Sequence, residues 1–595
     1  MNIPSPLAAD LRPQRLKDWL RAQVRAREFN LAILALIIGG VGGAVVVGMS
    51  ATTKAMHAVF FGVTDGSGVS AARALPLWSL LIPAAGGAAL GVISLLLGRW
   101  RKRQMVDPIE ANALHGGRMS VRDSLIIAIQ NLISNGFGAS VGLEAGYTQM
   151  GSMIASRVGV AFRLRRQDMR TLVGCGAAAA IGAAFDAPIT GAFYAFELII
   201  GSYAIGTMAP VMAAAVSATL AAKALGGVTL PLELAPLASA PPSQYPIFLA
   251  LGFACGLLGI ALMRSVSKIE TLFNRSPLPA PLRPVVGGLL IGGLGFITPQ
   301  ALAAGHGALH MQLHSPGLLY ELLFVFVLKS LASAISLGSG FRGGLFFASL
   351  FLGAVLGRIV GGVLLFAFPG APIDPTLVAL TGMSALAVAI IGGPLTMTFL
   401  ALETTGDLTI AGVALAASVI ASLTVRELFG YSFSTWRLHL RGETIRSALD
   451  VGWIRSLTVG RMMRPPSETA PSSLTVEAFR QAFPLGSTTR VIAVDEAGRY
   501  AGIVLVADAY AIEDSTIRAE DSIAPLLKLT NTMLTPLMNV KQAIAIFERS
   551  ESEALVVVGD QQSRKVVGFL TEAFALRRYS EELDLARRGA IGEKA

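Results

Sequence analysis

Charge is what this sequence has least of. Asp, Glu, Lys and Arg make up 14% of its 595 residues, against about 25% in an ordinary soluble protein. The shortage is uneven. It holds from about Phe29 to about Phe433, where apolar runs recur, and ends near Arg437, beyond which the chain has the charge density of a soluble protein. One soluble domain is excluded, and the first region has the composition of a membrane bundle. Cysteine is scarcer still. Cys175 and Cys255 both lie in apolar stretches, which excludes a disulfide framework. Paired aspartates in apolar helices and a nucleophilic triad are also missing. A membrane-embedded enzyme or sensor is therefore only a distant alternative, and no enzymatic activity is expected. Residues 1–27 lack a small-residue cleavage pattern but carry Arg12, Arg15, Lys17, Arg21, Arg25 and Arg27, which predicts a basic amphipathic helix on the inner membrane face.

Several loops lack Lys and Arg altogether: 226–245, 302–316 and 369–375. The basic stretches are 12–27, Arg99–Arg103, Arg163–Arg170 and Arg264/Lys268. The positive-inside rule then predicts a multi-pass protein of the plasma (inner) membrane with both termini cytoplasmic. Lipid topology accounts for the net charge of +10, so nucleic acid is not expected as a partner.

What is present is a series of apolar stretches from 29–50 to 408–425, spanning lengths near the ~20 residues a membrane helix needs. Two are interrupted: 170–200 by Asp186-Ala187-Pro188, and 376–403 by Gly392-Gly393-Pro394. Breaks at membrane depth are tolerated where protein or a water-filled cavity covers the freed backbone, as in transporters. They also repeat. Gly176, Pro188-Ile189-Thr190 and Glu197 are matched in spacing by Gly382, Pro394-Leu395-Thr396 and Glu403. The expected fold is an all-α polytopic membrane protein with inverted repeats and broken helices over residues 28–438, with halves of about 28–225 and 246–438. A cytoplasmic α+β tail follows over 439–595.

Two glycine-rich stretches carry the chemistry. Gly142-Leu143-Glu144-Ala145-Gly146 puts a carboxylate into an apolar segment at the start of a helix. Such a residue costs about 2.5–3.5 kcal/mol to insert and is usually functional. A helix start presents free N–H groups, which suit an anion. A glutamate there can hold the anion's place while charged and leave it when protonated, giving a pH-coupled gate; the alternative is a plain capping carboxylate. Gly343-Gly344-Leu345-Phe346, after Arg342, is a second such start; the alternative there is a glycine-rich turn with Arg342 anchored at the interface. His306, His310 and His314 are spaced i, i+4, a spacing that could hold a metal, but a histidine-bearing external loop is the expected reading.

These motifs resemble those of the CLC family of chloride channels and chloride/proton antiporters. Asn135–Ile154 resembles the G-[R/K]-E-G-P region with Glu144 as the gating glutamate, and Gly343–Ala348 resembles G-x-F-x-P. Phe185–Glu197 resembles F-N-A-P-x-x-G-x-x-F-x-x-E, and Pro394–Gly406 resembles P-L-T-x6-E-x-T-G. The resemblance implies a homodimer in the lipid bilayer, with an anion pathway in each subunit. It implies anion contacts at Gly142, Leu143, Ala145, Gly343, Gly344, Leu345 and Phe346, and no required cofactor. Two family features are missing. Arg103–Asp107 lacks the family's anion-coordinating serine, and the region of its pore tyrosine offers Ser434, with Tyr431 three residues before. Leu198 stands where many antiporters carry a proton-transferring glutamate, which favours a glutamate-gated chloride channel. An antiporter, or a relative selective for nitrate or fluoride, is the alternative.

The tail reads as two mixed repeats, about 456–515 and 527–582, with strand pairs Thr489–Val494/Ala501–Val506 and Ala554–Val558/Val566–Leu570. It resembles a pair of CBS modules. The resemblance implies an adenine nucleotide held by Asp508 in the first unit and by Thr571 and Glu572 in the second, or a dimerisation platform alone.

Overall fold

The computed structural model describes residues 28–64, 68–100, 105–227, 241–314, 317–370, 372–441, 457–466, 468–511 and 517–591. The basic helix expected over 1–27 lies outside them. The chain divides into two units, Met1–Asp450 and Val451–Ala595.

The first unit is helical. Its first half runs α1 Glu28–Phe61, α2 Ile82–Trp100, α3 Pro108–Leu114, α4 Val121–Gly136, α5 Glu144–Ala161, α6 Arg166–Phe185, α7 Pro188–Tyr194 and α8 Ile205–Ala224. Its second half runs α9 Tyr245–Arg275, α10 Arg283–Ile297, α11 His306–His314, α12 Leu319–Ser339, α13 Phe346–Ala367, α14 Pro375–Ile391, α15 Pro394–Thr405, α16 Leu408–Leu428 and α17 Phe433–Leu440. Among the described residues, eight helices are long and apolar enough to cross a membrane.

Three differences from the sequence reading have physical causes. Helix α1 continues to Phe61 rather than ending near residue 50, because Thr52 and Thr53 donate their hydroxyls to the carbonyls of Gly48 and Met49 and so keep no polar group bare. Helix α5 had no place among the apolar stretches. It is packed inside protein: Ser152 donates to the Val173 carbonyl and Ser156 accepts from the Met119 N–H. Third, the histidine-bearing segment is the helix α11 rather than a loop, with the His306 ring stacked 3.6 Å from that of Phe347.

The repeat seen in the spacing has a structural basis. Helices α5 and α6 cross where Gly151 and Gly176 face each other, and α13 and α14 cross where Gly353 and Gly382 do. At each of the four glycines an added Cβ would strike the carbonyl of its opposite glycine, so no larger residue fits. The broken helices are tied reciprocally. Glu197 accepts hydrogen bonds from the N–H groups of Leu395 and Thr396 and from the Thr396 hydroxyl, at 3.0, 2.8 and 2.6 Å. Glu403 does the same for Ile189 and Thr190, at 2.8, 2.8 and 2.6 Å. Each half thus caps the half-helix of the other. These bonds give the two glutamates a structural role.

The second unit holds α18 Val459–Met462, β1 Thr469–Pro471, α19 Val476–Ala482, β2 Arg490–Val494, β3 Tyr500–Leu505, α20 Val506–Tyr510, α21 Val540–Ser550, β4 Ala554–Val558, β5 Val566–Thr571 and α22 Glu572–Ile591. Strands β1 and β2 are parallel, β2 and β3 antiparallel, and β4 and β5 antiparallel. Helix–strand–strand–helix therefore occurs twice. The first repeat packs Phe479 on Val491 and Val504, the second Phe547 on Leu555 and Val557. The tail has the α+β, CBS-like pairing expected of it.

Candidate functional site

The two glycine-rich stretches adjoin. The Gly142 N–H donates to the Gly344 carbonyl at 2.9 Å, and the Gly344 N–H donates back at 3.4 Å. Each glycine stands two residues before its helix: Glu144 is the first residue of α5 and Phe346 the first of α13. Glu144 and Phe346 are thus counterparts in the two halves.

Asn131, in α4, locks this junction. Its side-chain N–H groups donate to the carbonyls of Gly142 and Arg342 at 3.0 and 3.1 Å, and its oxygen accepts from the Gly146 N–H at 2.9 Å. Ser134 one turn later accepts from the Arg342 N–H at 2.9 Å, and Asn135 donates to the Val141 carbonyl. The sequence reading missed these residues. The signal was there: Gln130, Asn131, Ser134 and Asn135 are four polar residues in the second half of α4, all of them buried.

Glu144 is 4% exposed, and its Oε2 has no hydrogen-bond partner. The side chain folds back over Gly142, so closely that a Cβ at Gly142 would collide with Oε2. Beside it lies a cavity of about 200 Å³. Four helix starts line this cavity: Pro108–Ile109, Glu144–Ala145, Leu345–Phe346 and Phe433–Ser434. The first amides of an α-helix have no carbonyl within the helix to bond. The N–H groups of Leu345 and Phe346 are therefore donors for a ligand, and the N-terminal dipole of the 22-residue α13 adds to their pull on negative charge. Phe346 is 5.0 Å from Phe185 and 6.0 Å from Tyr194, ring to ring, which closes the apolar wall.

The expected site residues separate into two sets. Glu144, Ala145, Gly343, Gly344, Leu345, Phe346 and Ser434 line the cavity. Gly142, Leu143 and Tyr431 do not. The Gly142 amide is occupied by Gly344, and Leu143 packs into the core with Tyr147 and Met49. Tyr431 turns away: its hydroxyl meets His439 Nδ1 at 3.2 Å and its ring stacks on the His439 ring at 4.6 Å. Of the three, Tyr431 is corrected as an anion contact, while Gly142 lies under the Glu144 carboxylate rather than on the cavity wall.

Residues 92–426, more than half of the chain, match the family model described as voltage gated chloride channel. The chain belongs to that family. A putative ClcB-like chloride channel protein of Ralstonia nicotianae is 34% identical over 343 residues, covering 57% of this chain and 80% of that one. The fold is shared with a slow cyanobacterial Cl⁻/H⁺ antiporter, at TM-score 0.61 and 24% identity over 69% of this chain and 97% of that one. It is shared with a eukaryotic CLC transporter, at TM-score 0.57 and 16% identity over 94% of this chain and 98% of that one, a match that extends through the tail. This is a multi-pass integral membrane protein of CLC type.

Against the CLC pattern, the stretch lacking the family's serine places Met105 and Asp107 on the cavity. Gln149 holds that stretch by donating to the Val106 carbonyl at 3.1 Å, and the Asp107 carboxylate accepts from the Glu110 N–H at 2.8 Å. Tyr194 lines the cavity too and was not anticipated. In this CLC tail, Asp508 is the third residue of α20 and pairs with Lys528 at 2.7 Å, whereas Glu572 is the first residue of α22. The residue of the second repeat equivalent to Asp508 is Phe574, which corrects Glu572 as its counterpart. A cavity of about 250 Å³ in the tail is lined by Thr488, Thr489, Arg490, Phe569 and Thr571, among others, without Asp508 or Glu572.

Proposed function

We propose that this CLC protein carries chloride across the membrane through a pathway gated by Glu144. One observation carries the reading: a buried carboxyl group whose Oε2 has no hydrogen-bond partner sits at a helix start bonded back-to-back with the start that offers the Leu345 and Phe346 amides. The ionised carboxylate competes with the anion for the same positive field. Protonation removes the charge and frees the side chain to leave. Both termini are cytoplasmic in this reading, the protein works as a homodimer in the plasma membrane, and no bond is made or broken. For the tail we propose an adenine nucleotide in the cavity beside Thr571; its hydroxyl lining supports this.

Leu198 supports a channel, since a leucine side chain carries no proton. One observation favours exchange for protons instead. Tyr194, on the cavity wall, carries a hydroxyl within electrostatic reach of both Asp107 and Glu144. Chloride efflux from liposomes reconstituted with the full chain decides. A channel dissipates a chloride gradient without moving protons uphill; uphill proton movement coupled to chloride would overturn the channel reading and leave the anion pathway standing.

A further inference from the structure

Lys329 lies midway along α12 and is fully buried. Its Nζ donates to three successive carbonyls, those of Ala301, Leu302 and Ala303, at 3.4, 3.4 and 2.7 Å. An ammonium has three N–H groups, so all of them are used. The Phe351 ring, its centre 5.9 Å from Nζ, adds a π face. Among the described residues no carboxylate touches this charge; backbone oxygens alone offset the cost of burying it. The turn that aims them inward is strained. Ala303 has φ 49° and Gly305 has φ 103°, and an alanine seldom enters the left-handed region. The attraction of three carbonyls for one ammonium holds it there.

The turn passes this hold on. The Ala303 N–H donates to the Gly138 carbonyl at 3.1 Å, and Gly138 lies in the stretch that joins α4 to Glu144. Helix α12 also grips that stretch directly. Ser333 and Ser336 follow Lys329 at i+4 and i+7, on the same helix face, and both are fully buried. Ser336 accepts from the Ser140 N–H at 2.9 Å, and the hydroxyls of Ser333 and Ser140 meet at 3.0 Å. One polar stripe on α12 therefore fixes Gly138 through the turn and Ser140 by contact, a few residues before the carboxylate that folds over Gly142.

We propose that Lys329 is a positioning residue for the gate. Its ammonium is the fixed cation of a three-carbonyl site, and through Ala303 and Gly138 it holds the stretch that places Glu144. This rests on the gate reading above. Lys329 touches neither the anion nor Glu144; it acts by keeping 138–142 in the one arrangement that lets the carboxylate close.

The test introduces Lys329→Met into the full chain, once alone and once together with Glu144→Ala. Methionine keeps the apolar stem and removes the charge. Chloride efflux from liposomes is measured at alkaline pH, where the gate is closed, and amide hydrogen exchange is followed over 138–142 and 301–305. Alone, Lys329→Met should raise alkaline flux by roughly tenfold, the worth of one charge-assisted hydrogen bond, and speed exchange in both stretches by a similar factor. With Glu144 already removed, it should change flux by less than about twofold, since no gate is left to misplace. An equal change in both backgrounds would mean a merely structural role and overturn the proposal, as would unchanged exchange. If Glu144→Ala alone keeps its pH dependence while Lys329→Met still loosens 138–142, the hold stands and the gate reading fails. Should Lys329→Met not fold, Lys329→Gln, which keeps two N–H donors without the charge, gives the same comparison.

Discussion

Replacing Glu144 with alanine is expected to abolish the pH dependence of anion flux while leaving flux itself at or above the acidic wild-type level. In the wild type the charged carboxylate holds the anion's place, so flux should rise as pH falls and protonation vacates it. A gate worked by one proton can change by at most roughly tenfold per pH unit. Flux through the alanine variant should be flat over the same range. Stability separates this role from a structural one. Glu144 Oε2 is buried without a hydrogen bond and no other residue donates to the carboxylate, so the thermal midpoint in detergent should fall little. A variant that keeps its pH dependence would exclude Glu144 as the gate. Loss of folded protein would instead indicate a cap.

Glu403→Ala is expected to have the opposite profile, with a large loss of stability. The carboxylate is the acceptor for two N–H groups and a hydroxyl at the start of α7, all within 2.8 Å. Thr190, one of the donors, is fully buried. Removing the acceptor leaves these half-buried and buried amides without a partner, at about 1–3 kcal/mol each, besides losing charge-assisted bonds. A total of about 3–6 kcal/mol is expected, a large share of the 5–15 kcal/mol typical of folded proteins. Glu403→Gln keeps one acceptor oxygen and should fall between. The measurement is the thermal midpoint in detergent, followed by size-exclusion elution. A Glu403→Ala protein as stable as the wild type would refute the reciprocal clamp.

The sequence showed the outline of this fold because lipid imposes a coarse rule. Long apolar stretches, broken at Asp186 and Gly392, had to be helices, and equal spacing in the two halves exposed the repeat. It showed Glu144 and the Leu345–Phe346 start because charge and glycine stand out against apolar surroundings. It did not show which amides were free. Whether Gly142 faces an anion or a neighbouring carbonyl depends on a contact between residues some 200 positions apart, between Gly142 and Gly344. Tyr431 was misread for a related reason: its ring rotates onto His439 and Trp436 rather than into the cavity. Asn131 was overlooked because a buried amide has no motif, although polar neighbours at Gln130, Ser134 and Asn135 marked the stretch. In the tail, Glu572 was matched to Asp508 although it is the first residue of its helix and Asp508 the third, an offset that shows only once the strand ends are fixed.

Bromide-soaked crystals of the full-length protein, measured at the bromine absorption edge, test the central claim most directly. The wild type should show an anomalous peak beside the Leu345 and Phe346 amides. Glu144→Gln should add a second peak where the carboxylate lay over Gly142. Bromide absent from both places, or the same single peak in both proteins, would contradict competition between Glu144 and the anion.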